Sequence, residues 1–285
     1  MAHPSIPKRY FDLPLLSYGV SGLVRIVDDH IVVKHTPVLN NERYDSDLAT
    51  EHKIYQRLGS HPRIVAVLAY VPGHYIALER HVCCLREHLY HRQKLDPASA
   101  PPQIQIQAQA LRWAVQAAEA LQFMHEKGVF QVDVGAHNIL LDKRNDLKFC
   151  DFAGSSIDGS SCTVAPGASA SKPDKDFEPS VETELFALGS FLYEMETGFV
   201  PYHDKQTIDE IEELFGADVF PDTQGLVLGE VIQKCWRGQF GSASEALADI
   251  KRVQEEFELR NKVLEKDDSR LVHRPLDSFN LPAFC

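Results

Sequence analysis

The sequence predicts an α+β fold, with strands gathered in the first 80 residues and helices filling most of the rest. Three observations point there. Short runs rich in β-branched and aromatic residues, Ile31–Lys34, Ile64–Tyr70 and Tyr75–Leu78, are separated by turn residues such as Asp28-Asp29 and Pro72-Gly73. From Gln103 onward the apolar residues recur at helical spacing. Between Phe130 and Gly154 two short apolar runs flank a turn and carry Asp133, Asn138 and Asp151. Folding that stretch as two paired strands gathers oxygen ligands that suit Mg²⁺ and, through it, phosphates.

Composition bounds the function. The chain has 285 residues, 44% apolar and 25% charged, enough for one large domain or two lobes. A formal net charge of -12 argues against non-specific nucleic-acid binding and against an anionic membrane surface. No apolar run approaches the roughly 18 residues of a membrane span, and the first residues lack the apolar core of a signal peptide. Cysteines at 83, 84, 150, 162, 235 and 285 follow no framework spacing, so reduced thiols in a cytoplasmic or nuclear compartment are expected.

Taken in order, residues 1–12 read as a loose arm. Ser17, Gly19, Gly22 and Val24 fall at the defined places of G-x-G-x-x-G-x-V, with serine in the first glycine's place. Glycines there let a hairpin fold closely over a phosphate, although two glycines three apart also make an ordinary hairpin. Lys34 ends the next strand. After a polar loop, 40–46, one helix face carries Leu48, Ile54, Tyr55 and Leu58 with Glu51 beside it. Glu51 has two explanations at this stage: a partner for Lys34, or a charge favoured by a helix N-terminus. A short helix around 84–91 aligns Cys84, His88 and His91, but no fourth ligand is spaced to complete a zinc site. A Pro-rich linker, 94–102, precedes a long helix from Gln103 to Lys127, ended by Gly128. Residues 155–180 are small and polar, a mobile loop by composition. The stretch from Val181 to Tyr202 opens as a helix apolar almost all round, hence buried. Leu226–Trp236 and Ser242–Phe257 read as two further helices.

The stretch Gln131-Val132-Asp133-Val134-Gly135-Ala136-His137-Asn138, followed by Asp151-Phe152-Ala153, resembles the H-R-D-L-x-x-x-N loop and D-F-G of the eukaryotic protein kinases. The glycine hairpin, the Ile31–Lys34 strand, Glu184–Gly189 (compare D-x-W-x-x-G), Thr197-Gly198 before Pro201-Tyr202, and Cys235-Trp236 occur in the family's order. The resemblance covers about residues 15–257. It implies a bilobal protein-kinase-like fold at 13–260. A small, mostly β N-lobe with one helix (13–80) leads through a hinge (79–83) to a larger, mostly α C-lobe (84–260) and a tail (261–285). It further implies ATP and Mg²⁺ as cofactors and a protein substrate. Ser17, Gly19, Gly22, Val24 and Lys34 would cover the phosphates. Leu78, Glu79, His81 and Leu140 would frame the adenine. Asn138 and Asp151 would hold the metal, Glu51 would pair with Lys34, and Asp133 would take the acceptor's proton.

The departures are specific. Val132 replaces the arginine that docks a phosphorylated activation segment, so phosphate on Ser160, Ser161 or Thr163 should not switch the protein. Gly135 and His137 stand where serine/threonine and tyrosine kinases respectively keep a cation, so transfer should be slow unless a protonated His137 partly fills the gap; activity would then fall between about pH 6 and 8. Ala153 replaces a glycine. Lys172-Pro173-Asp174 stands for A-P-E, and the arginine that would pair with Asp174 is missing. The implied activity is a slow protein kinase, with serine or threonine favoured over tyrosine as acceptor. The alternatives are a nucleotide-binding or scaffolding pseudokinase and a helical interaction protein without kinase function.

Overall fold

The computed structural model describes residues 6, 9–38, 41–96, 99–173 and 177–267, with side chains as far as residue 262. The first strands, β1 (Leu15–Gly19), β2 (Gly22–Ile26), β3 (Ile31–His35), β4 (Val67–Val71) and β5 (Tyr75–Glu79), form one antiparallel sheet in the order β1-β2-β3-β5-β4. Central β3 is buried from Val32 to His35, and its register sets Lys34 opposite Val24 on one side and Ile76 on the other.

Helix α1 (Glu42–Leu58) crosses between β3 and β4. It begins earlier than the polar stretch 40–46 suggests. The Asn41 side chain caps it by accepting from the Arg43 and Tyr44 N–H groups, and Glu42 and Asp45 favour its positive end. Glu51 therefore lies in the third turn, fully buried, and the helix-end explanation for it is overturned. Residues 9–13 are not a loose arm either. Tyr10 is buried against Val33 and Ala77 on the sheet, and its ring meets Tyr75 edge-on.

Beyond β5 the chain is mostly helical. Strand β6 (Cys83–Cys84) leads into α2 (Leu85–Gln93), then α3 (Gln103–Glu126), β7 (Val129–Phe130), β8 (Ile139–Leu141), β9 (Leu147–Phe149), β10 (Ser156–Ile157), α4 (Val181–Thr197), α5 (Ile208–Gly216), α6 (Gly229–Trp236) and α7 (Ala243–Asp267). Cys84 opens α2 and points its thiol at the Ala136 carbonyl, while His88 packs edge-on to Trp113, so these two serve the packing. Among the described residues no group of three or more His, Cys, Asp or Glu is placed to hold a metal. Helix α3 packs on α7 and α4, and α4 on α6. Leu188, Leu192 and Met195 of α4 are fully buried, which is why that helix can be apolar all round. Helix α6 starts three residues later than the periodicity suggests, because Glu196 captures the Val227 and Leu228 N–H groups at 2.8 Å and fixes a turn there. No helix of the described residues is long and apolar enough to cross a membrane. Asp174 and the tail beyond Asp267 lie outside the described residues.

Candidate functional site

Sheet and helices meet over two clusters of polar side chains. The first is organised by Lys34. Its ammonium lies 2.7 Å from Glu51 and 2.6 Å from Asp151. Burial alone would lower the Lys34 pKa, but the charges of Asp151 and Glu51 outweigh it and raise it. For Asp151, burial pulls upward and the Lys34 charge overrides it, so its carboxyl is held below the usual range. Glu51 goes the other way: burial dominates over Lys34 and raises it. Glu51 also accepts the Phe152 N–H, and Phe152 packs edge-on to Tyr55 of α1. These contacts fix α1 close to the sheet. The Asp151 side chain keeps 39% of its surface exposed.

Two positions of unusual backbone flank this cluster. Asp151 has φ +58° and Val132 has φ +72°. The second is costly for a β-branched residue, about 1–3 kcal/mol. Buried Glu184 of α4 holds it by accepting the Val132 N–H at 2.7 Å, with its other oxygen 2.7 Å from His125. Gln131 donates to the Cys150 and Asp151 carbonyls and so ties one loop to the other.

The second cluster is Asp133, His137 and Asn138. His137 Nε2 lies 2.8 Å from Asp133 Oδ2, and Asn138 Nδ2 donates to that oxygen and to the Asp133 carbonyl. Among the described residues no hydrogen bond engages the other end of that amide, Asn138 Oδ1. Asp133 and His137 line a pocket of about 230 Å³ with Arg86, Gly135, the 167–170 turn, Glu194 and Pro201.

Ser17 and Gly19 lie on exposed β1, where Ser17 pairs with Val24 and Gly19 with Gly22 across the hairpin. Gly22 has φ +153°, and a Cβ there would lie 2.6 Å from the His35 carbonyl oxygen, so only glycine fits the crossing. Leu78 ends the buried part of β5, and half-buried Leu140 pairs with Cys84 and Lys148. Glu79 is 3.0 Å from His81 and 3.2 Å from Lys148. Burial would raise Glu79, but the His81 and Ala66 hydrogen bonds and the Lys148 charge take it down to about 2.

Sequence reasoning missed several residues. Ser21, at the hairpin tip, donates to Asp151 at 3.2 Å; a polar residue between Gly19 and Gly22 was the available signal. Gln131 and Glu184 stand in the sequence only as substitutions, because the contacts that define them span 19 and 52 positions.

A family model described as the protein kinase domain matches residues 19–234. The chain is 24% identical to the serine/threonine-protein kinase PknB of Mycobacterium leprae, over 98% of this chain and 49% of that protein. It is 26% identical to the cAMP-dependent protein kinase type 3 of Saccharomyces cerevisiae, over 49% of this chain and 37% of that one. It is 34% identical to the human dual specificity mitogen-activated protein kinase kinase 7, over 33% of this chain and 25% of that one. The matches thus span at most about half the length of these relatives.

Proposed function

The chain belongs to the protein kinase family, and from that premise we propose that it is a slow, ATP-dependent protein kinase acting on a serine or threonine hydroxyl. The observation that carries this reading is the Lys34 ammonium held between Glu51 and Asp151. The donor set fits a magnesium nucleotide: a carboxylate open to solvent on Asp151 and an amide oxygen on Asn138 that no hydrogen bond engages among the described residues. Mg²⁺, when bound, neutralises phosphate charge. Lys34 binds the phosphates, Glu51 fixes Lys34, and the hairpin from Gly19 to Gly22 covers them with backbone N–H groups. Asp133 orients the acceptor hydroxyl and accepts its proton, while Asn138 and His137 fix its carboxylate. The loop carrying Asp133 has no lysine or arginine from 131 to 138, which supports a slow rate. The likeness to PknB, a serine/threonine-protein kinase, along nearly the whole chain supports the acceptor class.

No phosphate-docking switch belongs to this reading. Val132 is buried and neutral, and α1 is already tied to the following segment by Arg57, which donates twice to Asp158 at 2.7 Å. Incubation with γ-labelled Mg·ATP and a peptide array, with mass-spectrometric site mapping, is the test. Label on serine or threonine is expected, at a rate unchanged by prior phosphatase treatment. Label on tyrosine, or a large change after phosphatase, would remove those parts of the proposal. No transfer by a protein that Mg·ATP still stabilises would make it a nucleotide-binding scaffold.

A further inference from the structure

The loop that carries Asp133 has no permanent cation of its own, and the structure gives the reason. His137 folds back over Gly135 to reach Asp133. A Cβ on Gly135 would lie 2.7 Å from the His137 ring, so no larger residue fits while that pair exists. The same built Cβ would lie 3.8 Å from Arg86 Nη2. Arg86, on the first turn of α2, thus brings its guanidinium to the space above Gly135, and it lines the pocket that holds Asp133 and His137.

We propose that Arg86 supplies, from α2, the positive charge that neutralises the phosphoryl group as it passes Asp133. This rests on the protein kinase reading above. The acceptor oxygen forms its bond to the γ-phosphorus as the bond from phosphorus to the β-phosphate oxygen breaks. The hydroxyl proton goes to Asp133, and ADP leaves with the electron pair of the broken bond. Charge spreads meanwhile over the three equatorial oxygens, and a fixed cation beside them lowers the barrier.

Arg86 has the properties this requires. Guanidinium keeps its charge at any physiological pH and presents its donors in a rigid fork. Nε and Nη2 donate to the two oxygens of Glu194 at 2.6 and 2.9 Å. The Glu194 side chain is only 6% exposed, so it fixes the fork, while the Arg86 side chain keeps 43% of its surface exposed. Among the described residues no third partner engages Nη1, which leaves it for a phosphoryl oxygen. Sharing its charge with Glu194 weakens the cation, in keeping with a slow enzyme.

The test replaces Arg86→Gln together with Glu194→Gln, so that no buried carboxylate is stranded. Transfer of label from Mg·ATP is measured beside wild type and Asp133→Ala. The expected result is a kcat lower by roughly 10²-fold with KM for ATP changed less than about threefold and an unchanged melting temperature. Adding Gly135→Lys with His137→Ala to the double variant returns a cation to the loop and should restore at least about tenfold of the loss. A folded double variant that keeps the wild-type kcat, while Asp133→Ala does not, would overturn the role of Arg86 and leave the kinase reading intact. A loss that the relocated lysine fails to restore would also overturn it, making Arg86 a packing residue. Absence of transfer by wild type would overturn both.

Discussion

Lys34→Met is expected to lower the unfolding free energy by about 3–5 kcal/mol. The cause is what remains behind. Lys34 is 4% exposed and Glu51 is fully buried. Removing the ammonium leaves the Glu51 carboxylate without its counter-charge and facing Asp151, whose charge also raises it. Burying an unpaired charge is far more costly than losing an exposed ion pair, worth about 0–1 kcal/mol. The measurement is urea unfolding of wild type, Lys34→Met, and the double variant Lys34→Met with Glu51→Gln. The double variant should recover most of the loss, because a neutral amide replaces the stranded carboxylate. Equal midpoints for wild type and Lys34→Met would mean that the triad is not formed in solution.

Asp133→Ala should reduce phosphoryl transfer by roughly 10²–10⁴-fold, the usual contribution of a positioned general base. Its Oδ2 is engaged by His137 and Asn138, and among the described residues no hydrogen bond engages Oδ1, the oxygen to which the proposal gives the acceptor hydroxyl. The carboxylate also lines the pocket bounded by the 167–170 turn and Pro201. In the variant Asn138 Nδ2 keeps the backbone carbonyl of residue 133 as its acceptor, and among the described residues no hydrogen bond or ion pair joins Asp133 to Lys34 or Asp151, so stabilisation by Mg·ATP should persist. Transfer at the wild-type rate would show that another group takes the proton.

The division between what the sequence made legible and what it hid follows the range of the interactions. The strand runs around Lys34 and Tyr75–Leu78 and the helical stripe of α3 are local patterns, and the antiparallel sheet and helical remainder follow them. The candidates Asp133, Asn138 and Asp151 were visible because two short apolar runs lie between the first two and the third, and these runs do pair as β8 and β9. The start of α1 was hidden because polar Glu42–Ser46 carries no apolar stripe; its cap at Asn41 is the signal that outweighs composition. Tyr10 was hidden because its partners, Val33, Ala77 and Tyr75, belong to strands far along the chain. Glu184 and Arg86 were hidden for the same reason: each lies against a loop about 50 positions away. The exchange of a loop cation for Gly135 looked like a loss in the sequence. In three dimensions it makes room for His137 beneath a guanidinium from another helix.

The proposed grip of Lys34, Asn138 and Asp151 on a metal-bound triphosphate is tested most directly by thermal unfolding with ATP, Mg²⁺, or both. The account predicts stabilisation only when both are present, about 2.7 kcal/mol at a hundred times the dissociation constant. Asp133→Ala should retain it and Asp151→Asn should lose it. Stabilisation that ignores Mg²⁺, or that survives Asp151→Asn undiminished, would contradict the account.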